Sequence, residues 1–170
     1  TAIMRCTMGA MGIDSEYVRN WLGSGDAGIP HRGIYHYVIT EDSAAMQANN
    51  ILRVTGGDWG DEPLTLDCEP RSNEAPFTLA QKQVYTALVR RMLDLLAVHG
   101  RVRVYTSAGA WAFLTTLSAW AEGVVDWIAD PDPVAAPDLP PGVTTWRRWQ
   151  YSWTGRVDGI GTDVDLNRDS

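Results

Sequence analysis

The sequence of 170 residues predicts an α/β fold in the form of a TIM-like barrel of β/α units. Strand-like apolar runs alternate with helical patterns through the first two thirds of the chain, which is typical of a parallel sheet. After Val124 the strand-like runs continue, but Pro- and Gly-rich loops leave no room for helices between them. We therefore predict about five β/α units followed by strands that lack helices, in a single domain over residues 1–170.

The first two units lie before Trp59. Each has a short apolar strand followed by a helix whose apolar residues recur at helical spacing. The predicted elements are a strand over Ala2 to Thr7, a helix after Ser15, a strand over Gly33 to Ile39 and a helix over Ser43 to Val54.

The third unit contains the clearest helix in the chain. A strand over Leu64 to Cys68 lies between Pro63 and Pro70. The helix runs from Thr78 to about Val98, and the pair His99-Gly100 is expected to close it.

The last predicted helix is short and rich in Trp. A fourth strand covers Arg101 to Thr106, and the helical segment follows near Ala108 to Trp120. Three strand-like segments then close the chain, over residues 124–129, 144–152 and 156–167. A barrel with a simplified last part accounts for helices early and bare strands late.

The amino-acid composition limits the classes of partner that the chain is expected to bind. The chain has 14 basic and 21 acidic residues, a net charge of −7, which disfavours a polyanion such as nucleic acid as partner. Eight Trp and six Tyr suit the flat faces of sugar rings, although any one of them is as readily a packing residue. The sequence has no run that approaches 18 apolar residues, so it predicts no membrane span. Cys6 and Cys68 lack zinc-site spacing, and we expect both to be reduced and buried.

Asp67 and Glu69 form the strongest chemical feature. Two residues apart at the end of a strand, they project to one side, about 6.5 Å apart by strand rise. Glycoside cleavage needs one carboxyl that is protonated and a second group that stays anionic. Repulsion and burial are expected to raise one pKa while the other group keeps its charge. On the motif alone, an acidic pair that caps a loop remains the alternative.

The segments around this pair resemble glycoside hydrolase family 25, the Chalaropsis-type lysozymes of bacteria, fungi and phage. The tail from Trp149 to Asn167 reads W-Q-Y-S-x-x-G-x-V-x-G-I-x-x-x-V-D-L-N. Matching segments in the same order are IMRCT, G-I-Y-H-Y, L-D-x-E, V-Y-T-S and W-I-A. The match covers nearly the whole chain.

The resemblance implies a peptidoglycan hydrolase. Its bond would be the β-1,4 link between N-acetylmuramic acid and N-acetylglucosamine, cut without a metal or organic cofactor. The place of action would be the bacterial cell wall, outside the cell, and the protein could be a phage-encoded endolysin.

The resemblance also implies roles for individual residues. Glu69 would be the general acid, Asp67 its anionic neighbour at the reacting centre, and Asp165 a further acid at the floor of the site. The expected groove residues are Tyr35, Tyr105, Trp127 and Gln150. Simple barrel packing is an equal alternative for Tyr105 and Trp127. Outside this set, we expect His36 to be a structural residue and Trp149 and Trp153 to be packing or rim residues.

Two departures from the family pattern stand out. The opening motif G-x-D-V-S, whose Asp belongs to the acidic cluster, is not found in residues 1–170, and K-A-T-E-G becomes Arg5-Cys6-Thr7-Met8-Gly9. We expect a first strand supplied by an upstream segment, by another domain or by a partner chain. The other functional hypotheses are a degenerate domain that binds wall glycan without cutting it and a structural module of a larger assembly. Three retained acids favour the enzyme.

Overall fold

The computed structural model describes residues 1–116, 119–131 and 135–170. Four α-helices and eight strands make up this part of the chain, with one 3₁₀ turn over Ala119–Ala121. The strands are β1 (Ala2–Met8), β2 (Gly12–Ile13), β3 (Arg32–Tyr37), β4 (Leu64–Asp67), β5 (Val102–Thr106), β6 (Val125–Ala129), β7 (Arg148–Gly155) and β8 (Val164–Asp169). The helices are α1 (Tyr17–Asp26), α2 (Ala44–Thr55), α3 (Leu79–Leu96) and α4 (Ala108–Leu114).

All eight strands belong to one curled sheet, ordered β2-β1-β3-β4-β5-β6-β7-β8. The six strands from β1 through β7, leaving out β2, run parallel, and β2 and β8 are added antiparallel at the two edges. The predicted mixed α/β fold is therefore confirmed, as a half-barrel. The described residues contain four strand-helix units, and the count of about five stays a prediction.

Helix starts follow the sequence closely because polar side chains cap them. The Ser43 hydroxyl accepts the N–H of Met46 at 3.2 Å. Thr78 and Gln81 form a reciprocal capping box at the start of α3. The far end of α3 differs from the prediction: the helix ends at Leu96, and a turn closed by the His99 N–H, which donates to the Leu96 carbonyl at 2.9 Å, follows before Gly100. Residues 117 and 118 of the predicted Trp-rich helix lie outside the described part.

Each face of the sheet carries its own cluster of apolar residues. Ile34, Leu66, Val104 and Ile128 are fully buried and pack against the helices in the larger core. On the inner face, Tyr105, Trp127 and Ala129 form a second, smaller cluster with Ile3 packed against it. Strand alternation produces this division, since neighbouring residues project to opposite faces.

The expected buried residues are confirmed. Cys6 and Cys68 are buried free cysteines. His36 is fully buried, with Nδ1 2.7 Å from the Thr7 hydroxyl and Nε2 3.0 Å from Gln47 Oε1. Burial lowers the pKa of His36 to about 4, so the ring is neutral and structural. None of the helices described is both long and apolar enough to cross a membrane.

Candidate active site

The acidic pair lies at the carboxyl end of β4, in the middle of the parallel sheet. Asp67 is the last residue of the strand and pairs with Tyr37 on β3 and Tyr105 on β5. Glu69 follows two residues later. The carboxyl ends of parallel strands are where side chains from several strands converge on one site, so the pair has the position that the sequence predicts.

Asp67 is the more buried of the two acids. Its residue is 8% exposed, and its Oδ1 atom has no hydrogen-bond partner among the described residues. Burial, reinforced by the nearby Glu69 carboxylate, raises the pKa of Asp67 well above its ordinary value, and the Arg5 cation offsets part of the rise. A carboxylate at this position therefore needs a hydrogen-bond donor to carry its charge.

Glu69 is only partly buried. Burial raises the pKa of Glu69, and the negative charge of Asp165 raises it further, whereas a hydrogen bond from the Tyr105 hydroxyl lowers it. The backbone carbonyl of Glu69 accepts the hydroxyl of Tyr37 at 2.9 Å, which fixes the chain just beyond the strand. The Glu69 carboxyl thus lies just beyond the end of β4, with a proton affinity above that of a free glutamate.

The expectation that only one pKa rises is not met. Burial raises the pKa of both Asp67 and Glu69, because both sit above the same curled sheet. What separates the two carboxyls is access: Glu69 borders an open cavity, and Asp67 does not.

Of the expected groove residues, Tyr35 and Tyr105 lie close enough to Asp67 for its charge to raise their pKa values, after the larger effect of burial. Tyr105 packs edge-on against Trp127 with ring centroids 5.1 Å apart, and Trp127 Nε1 donates to Asn167 Oδ1 at 2.8 Å. Gln150 is buried on β7 and Tyr35 is partly buried on β3. Tyr105 and Trp127 are therefore packed against each other, as the alternative interpretation holds, while the Tyr105 hydroxyl also donates to Glu69.

Asp165 completes the set from the far edge of the sheet. It is exposed on β8, and its partial burial raises its pKa. Its charge contributes to the raised pKa values of Asp67, Glu69 and Tyr35. The structure therefore brings all three predicted acids within electrostatic reach of one another. The described residues contain no group of three or more His, Cys, Asp or Glu side chains arranged to hold a metal ion.

An ion network below the site was missed by the sequence analysis. Glu62 accepts from Arg103 at 3.2 Å and from both terminal nitrogens of Arg148 at 3.2 Å. Arg148 also pairs with Asp169 at 2.7 Å. Both guanidinium groups lie over the Trp127 ring, at 4.8 and 5.5 Å. Strand alternation is the available signal, because Arg103 and Arg148 stand two residues before Tyr105 and Gln150.

Comparison with known proteins identifies the family of this chain. A family model described as "Glycosyl hydrolases family 25" matches residues 1–160. The chain belongs to glycosyl hydrolase family 25. Lysozyme M1 of Streptomyces globisporus is 32% identical over 174 residues, covering 98% of this chain and 58% of that protein. The family 25 segment seen here thus spans less than two thirds of that relative.

Solved structures agree with the family. The bacterial lysozyme from Streptomyces coelicolor superposes with a TM-score of 0.84 at 30% identity, covering 98% of this chain and 79% of that one. The muramidase from Acremonium alcalophilum gives a TM-score of 0.79 at 22% identity, covering 99% and 81%. The second likeness is evidence for the fold alone. Both share the fold of this chain over nearly its whole length.

Proposed function

We propose that this chain is a peptidoglycan hydrolase that cleaves the β-1,4 bond between N-acetylmuramic acid and N-acetylglucosamine. The observation that carries the proposal is the pair Asp67 and Glu69 at the carboxyl end of β4, with raised pKa values and Asp165 nearby. Family membership and relatives named lysozyme support the same activity.

Glu69 is the proposed general acid. A proton donor must reach the glycosidic oxygen, and Glu69 borders the open cavity beside the site. Its raised pKa keeps it protonated to higher pH than a free glutamate. The proton passes to the leaving oxygen as the bond to the anomeric carbon breaks. The Glu69 carboxylate then accepts a proton from water, whose oxygen ends on the anomeric carbon.

Asp67 is the proposed stabilising neighbour. Its Oδ1 atom is buried, but the residue is 8% exposed, so the other carboxylate oxygen can accept a hydrogen bond, and an acetamido N–H of the substrate is a donor of the right kind. Such a bond favours the anionic form of Asp67, which burial alone disfavours. The resulting negative charge stabilises the positive charge that develops at the anomeric centre.

The remaining predicted residues form the proposed groove. Tyr35, Tyr105 and Trp127 offer ring faces and edges to the sugar, Gln150 offers an amide, and Asp165 adds negative charge from the edge strand. We propose residues 1–170 as one domain whose substrate is bacterial peptidoglycan and whose place of action is the cell wall, with a phage endolysin as one setting.

We also propose that a further strand, from another segment of the protein or from a partner chain, pairs with the free edge of β1. In the described residues that edge is covered only at Thr7 and Met8, by β2. Parallel strands with an open edge gain hydrogen bonds and apolar contacts from such an addition.

The experiment is clearance of purified bacterial walls, followed as loss of turbidity. The chain should clear the suspension, and Glu69→Gln should reduce the rate by at least about 100-fold, because the proton donor is removed. Glu16→Gln, an exposed Glu at the start of α1, is the matched control and should keep the parental rate. Clearance that survives Glu69→Gln removes Glu69 from the acid role, and a parent that binds walls without clearing them favours the degenerate binding domain.

A further inference from the structure

A cavity of about 480 Å³ opens beside Glu69. Its described walls include residues from the start of α4 and the end of β6. Asp138 and Trp153, which come later in the chain, also line it. Glu69 borders it, but Asp67 and Asp165 are not among its described lining residues. A cavity that the proposed proton donor borders, and that the proposed stabilising carboxylate does not, has the position required of a site for the leaving sugar.

Trp153 lines this cavity from an irregular part of β7. Gln150 pairs with Asn167, and Ser152 pairs with Leu166, so β7 has one extra residue between these two pairs. The pairing of Gly155 with Val164 gives it a second extra residue between Ser152 and Gly155. Strict alternation would place Trp153 on the face of Trp149 and Tyr151, whose rings pack together. The register shifts on either side of Trp153 interrupt this alternation, and Trp153 borders the same cavity as Glu69.

The chemistry of the walls suits one pyranose ring. Trp153 is 56% exposed, so its indole ring is accessible to a ligand in the cavity. Asp138 is exposed at the rim, and its backbone N–H donates to Asp130 Oδ2 at 2.8 Å, which fixes the loop. No Lys, Arg or His is among the described lining residues. A ring with one apolar face and several hydroxyl donors complements an indole beside carboxylates.

We infer that Trp153 is a specificity-determining residue that binds the leaving sugar, an N-acetylglucosamine unit, by stacking, while Asp138 accepts hydrogen bonds from its hydroxyls. The inference rests on the proposed hydrolysis, since it assigns the sugar on the far side of the bond that Glu69 cleaves. It gives a binding role to an aromatic residue that the sequence suggests is a rim or packing residue.

The test is binding of chitobiose, the β-1,4 dimer of N-acetylglucosamine, measured by calorimetry on the full chain carrying Glu69→Gln. Adding Trp153→Ala should weaken the Kd by about tenfold, the loss expected for an aromatic stacking contact. Trp153→Phe should recover most of the affinity, because a ring is restored. Tyr151→Ala, an exposed aromatic on the same strand outside the cavity, should stay within about twofold of the parent.

Equal affinities for the Trp153→Ala and Tyr151→Ala chains would overturn the inference, and so would a parent that does not bind chitobiose. Wall clearance separates this failure from that of the proposed function. If the active chain clears walls and Trp153→Ala clears them at the same rate, the hydrolysis stands and the role of Trp153 falls. If the active chain clears no walls, the proposed function itself fails, whatever the affinity for chitobiose.

Discussion

Glu62→Gln is predicted to destabilise the fold strongly, although the change removes only a charge. Glu62 contacts Arg103 once and Arg148 twice, at 3.2 Å each. Both arginines are buried, and burial together with the Arg148 cation lowers the pKa of Arg103. Without the Glu62 charge the two cations face each other below Trp127, and the strands that carry them are held less firmly.

The structure sets the size of this effect. Breaking a buried ion pair costs roughly 3–5 kcal/mol when the partner charge stays buried. Here Arg148 keeps its pair with Asp169, Arg103 keeps its bond to the Thr65 hydroxyl, and the Glu62 side chain is 16% exposed. These remaining contacts favour the lower end, about 3 kcal/mol. For a domain of this size, that corresponds to a fall in Tm of about 6–12 °C.

The assay is urea unfolding followed by circular dichroism, with thermal melts in parallel. Glu41→Gln is the control, because its pair with Arg71 is exposed on both sides and should contribute less than about 1 kcal/mol. A loss below about 1 kcal/mol for Glu62→Gln, or a loss equal to that of the control, would refute the reasoning that this network holds the inner face of the sheet together.

Two further predictions concern pH. Tyr105→Phe removes the hydrogen bond that lowers the pKa of Glu69, so that pKa rises and the alkaline limb of the wall-clearance profile moves to higher pH; Tyr37→Phe, which loses only a bond to the Glu69 backbone, should move it less. His36 has a pKa of about 4 in the fold against an ordinary 6.5, so the unfolded chain binds more protons between these values and the free energy of unfolding falls as pH drops through this window. The loss approaches roughly 3 kcal/mol. The difference in urea midpoint between the parent and His36→Gln should therefore be smaller at pH 4.5 than at pH 7, and a difference that is the same at both pH values would contradict the assignment.

The sequence predicts the main elements well because the apolar runs are strong and local. Strands β3, β4 and β5 and helices α2 and α3 begin within a residue or so of their predicted starts, with Ser43 and Thr78 as caps. The two-residue strand β2 and the two register shifts in β7 were not predicted. A strand of two residues is too short to show alternation, and the shifts depend on how β7 pairs with β8, so neither leaves a periodic pattern in the chain.

The candidate site likewise has features that the local sequence predicts and features that it does not. Asp67 and Glu69 are two residues apart, so their shared position at a strand end can be predicted from the local pattern alone. The partners of Glu62 lie 41 and 86 residues away, and no local pattern joins them. The pKa values follow burial, which depends on the completed fold, and this explains why both acids shift although the sequence suggests a division between them.

The most direct test of the central claim is identification of the new reducing ends released from purified peptidoglycan. After borohydride reduction, mass spectrometry distinguishes products that end in reduced N-acetylmuramic acid from those that end in reduced N-acetylglucosamine. The account predicts reduced N-acetylmuramic acid from the parent chain and none from Glu69→Gln. Reduced N-acetylglucosamine as the new end, or no new reducing end from the parent, would contradict it.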